Sequence, residues 1–189
     1  RERIMSRHVA ADAPVSVERL HEVLVYDPCT GALTWRFSRS ARAQAGQPAG
    51  TVNSRGYRRL IVDGRRMASQ RVAWAMHYGE WPDPTKEVDH VNGDRSDERI
   101  SNLRLATPSQ NRRNTAVRGA LPKGVRQSFR STTFNAWIYV NRKPKYLGSF
   151  PTADEAAHAY NKAAIRLHGH YARLNPVGVA GQQQENGNG

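Results

Sequence analysis

The stretch from Glu87 to Asn114, E-V-D-H-V-N-G-D-R-S-D-E-R-I-S-N-L-R-L-A-T-P-S-Q-N-R-R-N, leaves this chain few ways to fold. Glu87 to Val91 reads as a short strand that stops at the turn signal Asn92-Gly93. Leu103 to Ala106 alternates apolar and polar residues and reads as a second strand. Thr107 is a good N-cap, Pro108 suits the first helical position, and Gln110 can close a capping box, so a helix follows. Two strands and a helix bring a carboxylate (Asp89), an imidazole (His90) and an amide (Asn111) within reach of one another. Neighbours on a regular strand point to opposite faces, so Asp89 and His90 share a site only where the strand is irregular. The plainer alternative is a polar hairpin with a surface histidine.

Charge along the chain favours a polyanionic partner. The 189 residues carry 29 Lys and Arg against 16 Asp and Glu, a formal net charge of +13, which points first to nucleic acid. From Arg99 to Ala153 there is no Asp or Glu but eleven Lys or Arg. Just upstream, Asp83, Glu87, Asp89, Asp94, Asp97 and Glu98 crowd the hairpin. Carboxylates gather where a cation would sit, and basic residues follow where phosphates would lie. The single cysteine, Cys29, excludes an intrachain disulfide and a cysteine-cluster zinc site, which fits a reducing compartment. With no apolar run of membrane-spanning length and no visible signal peptide, a cytoplasmic protein without a membrane partner is expected.

Arg1 to Ala13 is polar and reads as loose. Ser16 can cap a helix carrying Val17, Leu20, Val23 and Leu24 on one face. Asp27 to Gly31 is a turn, and Leu33, Trp35 and Phe37 on the strand after it are expected to build a small core. Ser38 to Gly50 reads as a basic loop. Tyr57 to Val62 is a strand, and Asp63-Gly64 is a strong hairpin signal. Arg55, Arg58, Arg59, Arg65 and Arg66 make that hairpin basic, either as a solvated face or as a DNA contact. Arg71 to Tyr78 reads as a helix with Val72, Ala75 and Met76 inward and Gly79 as its stop. Gly119 and Pro122 mark Arg112 to Lys123 as a linker. Beyond it, Gly124 to Gln127, Phe134 to Val140 and Tyr146 to Phe150 read as three strands. Thr152 and Glu155 then open a helix through Ala156, Tyr160, Ala163, Ala164 and Leu167 that stops at Gly169. Its small alanines let it lie close to the sheet. Val177 to Gly189 has the composition of a disordered tail.

The Glu87 to Asn114 stretch resembles the HNH nuclease motif in its phage and homing-endonuclease form. The matching residues are Asp89-His90, the N-G-D turn, Asn102 before the L-R-L-A-T strand, and Asn111 within S-Q-N-R-R-N. The segments Y-R-R-L-I-V-D-G, R-V-A-W and G-E-W-P that precede it are similar as well. The resemblance implies a ββα-metal fold in which His90 is the general base, Asp89 and Asn111 hold the metal, and Asn102 braces the loop that orients His90. Two positions depart from the family pattern: Gln70 stands where many relatives carry His, and Glu98 where Asn is usual.

The chemistry of these residue types agrees independently. Phosphodiester hydrolysis needs an activated water, and a neutral imidazole near pH 7 can take its proton. The leaving oxygen needs positive charge beside it, which a metal supplies. Asp89 and Asn111 both offer oxygen, so the metal is expected to be hard, Mg²⁺ or Mn²⁺ rather than Zn²⁺.

Gly124 to Asn175 is similar to the AP2 DNA-binding domain, through G-V-R-Q, Y-L-G-S-F, T-A-D-E-A-A-H-A-Y and the pair Leu174-Asn175. That family reads bases in the major groove from its strands. The resemblance implies DNA contacts from Arg126, Trp137, Arg142, Lys145 and Tyr146, joined by Arg112 and Arg113 of the basic linker. Arg can grip guanine edges bidentately, and aromatic rings can pack on sugars or thymine methyls. Trp137 and Tyr146 read equally as sheet or core residues. Phe134, where Trp is typical, and Pro144, within a basic strand, depart from the pattern.

Together these readings give an α+β chain. A ββα-metal nuclease domain at 1–118 carries its motif at 87–114, a three-stranded sheet plus helix spans 119–176, and a tail spans 177–189. The expected function is a monomeric, metal-dependent, site-specific nicking endonuclease of double-stranded DNA in a bacterial or phage-infected cell. The alternative is a sequence-specific DNA-binding regulator whose HNH part is folded but idle. An RNA-binding or ribosome-associated protein ranks lower, for want of an aromatic single-strand platform of the usual RNP type.

Overall fold

The structure, a computed structural model, describes residues 15–115 and 119–177. The segment Arg1 to Ala13 and the tail after Val177 lie outside the described residues. The chain forms two compact units, Arg1–Pro108 and Ser109–Gly189. All the sheets are small and antiparallel and are interleaved with helices, so the class is α+β.

In the first unit, helix α1 (Val17–Val23) starts where Ser16 Oγ accepts from the Arg19 N–H at 3.1 Å. It stops before Leu24, which the sequence placed on the helical face. Leu24 instead opens strand β1 (Leu24–Tyr26), opposite Trp35 of β2 (Leu33–Trp35). Tertiary pairing here outweighs one more residue of helix. The turn between β1 and β2 is built on Asp27, whose carboxylate accepts from the Cys29 N–H at 2.9 Å. Its Gly31 sits at φ +75°, where an added Cβ would lie 2.5 Å from the Arg99 nitrogen. Phe37 does not join the core: β2 ends at Trp35, and Phe37 is 59% exposed.

Strands β3 (Thr51–Val52), β4 (Arg58–Val62) and β5 (Arg65–Ala68) form a sheet in that order. Asp63 (φ 49°) and Gly64 (φ 77°) supply the two positive φ angles of a tight hairpin turn. Leu60 and Val62 point inward while Arg59 and Ile61 are exposed, the period-two pattern of a one-sided sheet. Helix α2 (Ser69–Tyr78) ends at Gly79 in the left-handed conformation. Its Val72, Ala75 and Met76 complete a core with Leu20, Leu24, Leu60 and Val62. Ala73 packs in a separate cluster with Val88 and Leu103. These last two belong to β6 (Glu87–His90) and β7 (Leu103–Ala106), so α2 is the shared wall that fixes this second hairpin.

The second unit takes in helix α3 (Pro108–Arg113) from Ser109 onward, then β8 (Val125–Gln127), β9 (Phe134–Val140), β10 (Lys143–Phe150) and α4 (Ala153–His168). The sheet order is β10-β9-β8. β10 starts at Lys143, before the Tyr146 start expected, and accommodates Pro144 because it is an edge strand. Asn141 and Arg142, both at positive φ, turn the β9–β10 hairpin. A register shift between Tyr146 and Gly148 leaves Leu147 packed against the helix side of the sheet. Ala156, Ala157, Ala163 and Ala164 of α4 are buried against Val125, Ala136 and Ile138. Thr152 caps α4, accepting from the Glu155 N–H at 3.2 Å. Asn175 closes the unit: its Oδ1 accepts from the Lys123 N–H at 2.6 Å, and its N–H donates to Asn161 Oδ1 at 2.8 Å. Among the described residues no helix is long and apolar enough to cross a membrane.

Candidate functional site

The β6–β7 hairpin carries three of the expected nuclease-site residues. The register is regular, with Asp89 opposite Arg104 and His90 opposite Leu103. By the pleat, Asp89 and Arg104 share one face, and His90 lies on the other with Val88 and Leu103. β6 ends at His90, whose carbonyl accepts from the Gly93 N–H at 2.9 Å, so the imidazole sits at the mouth of the following loop.

Asp89 is buried and ion-paired. Arg104 donates to its Oδ2 from Nε at 2.9 Å and from Nη2 at 2.8 Å. A carboxylate this deep needs a compensating cation, and the guanidinium supplies one. His90 is 4% exposed, with the Tyr57 ring at 6.3 Å between centroids. Burial pushes its pKa below the ordinary imidazole value, and Arg95 adds to this, while Asp89, Asp94 and Asp97 pull the other way. The net effect favours the neutral imidazole, which is the form that can accept a proton. Arg95 itself lies over the Tyr57 ring at 4.6 Å.

Asn102 crosslinks the loop after His90. Its Nδ2 donates to the Asp97 carbonyl at 2.8 Å, and its Oδ1 accepts from the Asn92 N–H at 2.9 Å. Its own carbonyl accepts from the Val91 N–H at 2.8 Å. Asp97 is held by Arg99 and Asn92, and its carboxyl is pulled down to about 2, chiefly by the Arg99 hydrogen bonds. The loop is therefore fixed at both ends and in its middle.

The sequence marks Glu98 only as a departure from a usual Asn. In the structure it is 3% exposed and its Oε1 lies against Ser69 Oγ, the first residue of α2. Ser69 Oγ also donates to the Arg58 carbonyl at 3.0 Å. A hydroxyl has one proton, so both contacts are satisfied together when Glu98 is protonated and donates to Ser69. Burial agrees, pushing the Glu98 carboxyl up to about 7. Its backbone carbonyl accepts from the Tyr26 hydroxyl at 2.7 Å. Glu98 thus ties the site loop to α2 and β1.

Sequence reasoning missed Arg104 and Ser69. The first was accessible: placing Asp89 and the L-R-L strand in one hairpin leaves Arg104 facing Asp89. The second depends on a contact across 29 positions and leaves no local signal. Asn111 lies on α3, in the second unit. Among the described residues, no group of three or more His, Cys, Asp and Glu is arranged to hold a metal ion. The Asp89 carboxylate is the type of donor that a hard divalent ion takes, and its Oδ2 is already engaged by Arg104.

In the second unit the expected DNA contacts sort by strand parity. Arg126 pairs with Asn135 and Tyr146 with Trp137, which puts all four on the sheet face opposite α4. The Trp137 and Tyr146 rings touch, with centroids 4.9 Å apart, and Tyr146 is 50% exposed. Lys145 pairs with buried Ile138 and so leaves the sheet on the helix side, at the edge. Arg142 stands at the hairpin tip, and Arg112 and Arg113 end α3.

A family model described as HNH endonuclease matches residues 68–113. An HNH endonuclease of Acanthamoeba polyphaga mimivirus is 34% identical over 90 residues, covering 48% of this chain and 47% of that protein. Dehydration-responsive element-binding protein 2A of Oryza sativa subsp. indica is 47% identical over 58 residues, 28% of this chain and 20% of its own length. Its Arabidopsis thaliana counterpart is 34% identical over 87 residues, 41% of this chain and 26% of that one. The chain therefore spans less than half the length of the relatives it matches. Residues 68–113 are thus similar to HNH endonucleases, and the chain is also similar over a shorter stretch to dehydration-responsive element-binding proteins, in keeping with an HNH segment joined to an AP2-like one.

Proposed function

We propose that the chain is a metal-dependent DNA endonuclease that nicks double-stranded DNA at a chosen site. The observation that carries the reading is His90, buried and favoured in its neutral form at the end of β6, beside a loop that Asn102 holds rigid, within the segment that matches the HNH model. His90 takes a proton from the attacking water. The resemblance assigns Mg²⁺ or Mn²⁺, which would stabilise charge at the leaving oxygen, to Asp89 and Asn111; because the regular register sets Asp89 on the strand face opposite His90, metal and general base can meet only where β6 gives way to the loop after His90. Asn102 orients the loop, and with it the imidazole. DNA would be held by Arg112, Arg113, Arg126, Trp137, Arg142 and Tyr146, while Lys145, on the other side of the sheet, would meet a phosphate rather than a base.

One set of catalytic groups attacks one phosphate at a time, so a monomer is expected to nick. Supercoiled plasmid incubated with the protein and Mg²⁺ should give open circle first, and none with chelator. His90→Ala should slow this by about 10²–10⁴-fold, the usual worth of a general base, while DNA binding persists. Cleavage by His90→Ala near the parent rate would remove the mechanism. A second reading, an HNH fold that binds DNA without cutting, draws on the Asp89–Arg104 pair, because the guanidinium competes with any metal for the same carboxylate oxygen.

A further inference from the structure

The second unit contains a cavity of about 450 Å³ beside the short edge strand β8. β8 pairs only with the first part of β9, from Phe134 to Ala136, and the Gly124 carbonyl takes the Trp137 N–H at 2.7 Å. Past that point β9 has no strand on this side among the described residues, and the cavity lies along the uncovered edge. Trp137 and Tyr139 of β9 line it, with Arg112, Arg113, Lys123 and Arg126 around them. Among the described residues no carboxylate lines it.

His168, at the end of α4, forms part of the wall. It is 8% exposed, and its Nδ1 is buried with no hydrogen-bond partner among the described residues, although the Leu167 backbone interacts with the ring and raises its pKa against the lowering by burial. A buried ring nitrogen left without a partner is costly unless a ligand supplies one. Lys123 is tethered, its Nζ donating to the carbonyls of Arg113 and Thr115. This ammonium is therefore held at the wall rather than free in solvent. Size, fixed cations and flat aromatic rings occur together, which a purely backbone-tracking phosphate surface does not need.

We propose that this cavity binds one nucleoside monophosphate unit, its phosphate among Arg112, Arg113 and Lys123 and its base against Tyr139, within reach of His168. The unit comes either from an extrahelical nucleotide of bound DNA or from a free nucleotide. The inference rests on the DNA-binding half of the function proposed above and is independent of cleavage. Base–aromatic stacking supplies a part of the affinity that varies little with salt, and phosphate contacts add a salt-dependent part.

The test is isothermal titration of the full chain with dAMP, dGMP, dCMP and dTMP, with each unphosphorylated deoxynucleoside, and with inorganic phosphate. At least one mononucleotide should bind with Kd below about 1 mM, and at least about tenfold more tightly than its nucleoside or inorganic phosphate. His168→Phe and Tyr139→Ala should each weaken it about fivefold or more; Tyr139 is 54% exposed, so that variant is expected to fold even if the first does not. In competition, a duplex with one bulged nucleotide that displaces the mononucleotide at lower concentration than the same duplex fully paired identifies DNA as the source. Equal displacement by the two duplexes identifies the free nucleotide. No binding by any mononucleotide at about 10 mM overturns the proposal, and so does equal binding by nucleoside or phosphate alone, or by folded Tyr139→Ala. Each of these results leaves duplex binding and cleavage free to stand.

Discussion

Replacing Glu98 by Gln should stabilise the first unit, and by more as the pH rises. The buried carboxyl is pushed from 4.5 to about 7. Its folded-state pKa is raised, so in the window between those values the folded chain keeps a proton that the unfolded chain has lost. Stability from this group is then full below pH 4.5, falls as pH rises, and levels off above about pH 7. At ~1.4 kcal/mol per pH unit, the cost above pH 7 is about 3 kcal/mol. The glutamine amide would present an N–H to Ser69 Oγ as the protonated carboxyl presents its O–H, without a charge to bury. The gain of Glu98→Gln over the parent should therefore grow by about 2.5 kcal/mol between pH 5 and pH 8. Urea unfolding followed by tryptophan fluorescence measures it. Trp35, Trp74 and Trp81 lie in the first unit, so a Trp137→Phe background confines the signal to them. A difference between variant and parent that stays flat with pH would refute the buried-carboxyl argument.

Three further outcomes are expected. Arg104→Met should destabilise the first unit by about 3 kcal/mol, because it strands a buried carboxylate; added Mn²⁺ should raise the melting temperature more in the variant than in the parent. Gly124→Ala should cost the second unit about 2 kcal/mol or more, read by near-ultraviolet circular dichroism on melting, because at φ +79° the new Cβ would lie 2.2 Å from Tyr160 and 2.4 Å from the Trp137 carbonyl. DNA affinity should fall steeply with salt, and Arg126→Ala should flatten the log–log slope by about one if that guanidinium meets a phosphate.

The parts of this fold that were legible in the sequence are those fixed by chemistry within a few residues. Ser16 and Thr152 cap helices, Asp63-Gly64 turns a hairpin, and Gly79 stops α2, each through a side chain or φ preference that needs no distant partner. Pairings across the chain were not legible. Leu24 has a helical neighbourhood but is drawn into a strand by Trp35. β3 is two exposed residues held only by Arg58 and Arg59, and no period can be read from two positions. At the candidate site, Asp89, His90 and Asn102 stood out by type and spacing. Tyr26 and Ser69, which anchor the loop through Glu98 from two elements, did not, since each looks ordinary until the chain brings them together. Lys145 shows a subtler loss. Its composition marks it as a contact, but strand parity decides its face, and parity depends on a register that only the paired strand β9 sets.

The clasp made by Asn175 has a consequence for how such a unit can be inherited. Asn175 grips Lys123 from both sides of its backbone, Oδ1 on the N–H and Nδ2 on the carbonyl, although the two residues are 52 positions apart. The segment from Lys123 to Asn175 thus begins and ends at one place. A segment whose ends meet can be spliced into another gene, or taken out of one, without prising apart the protein on either side.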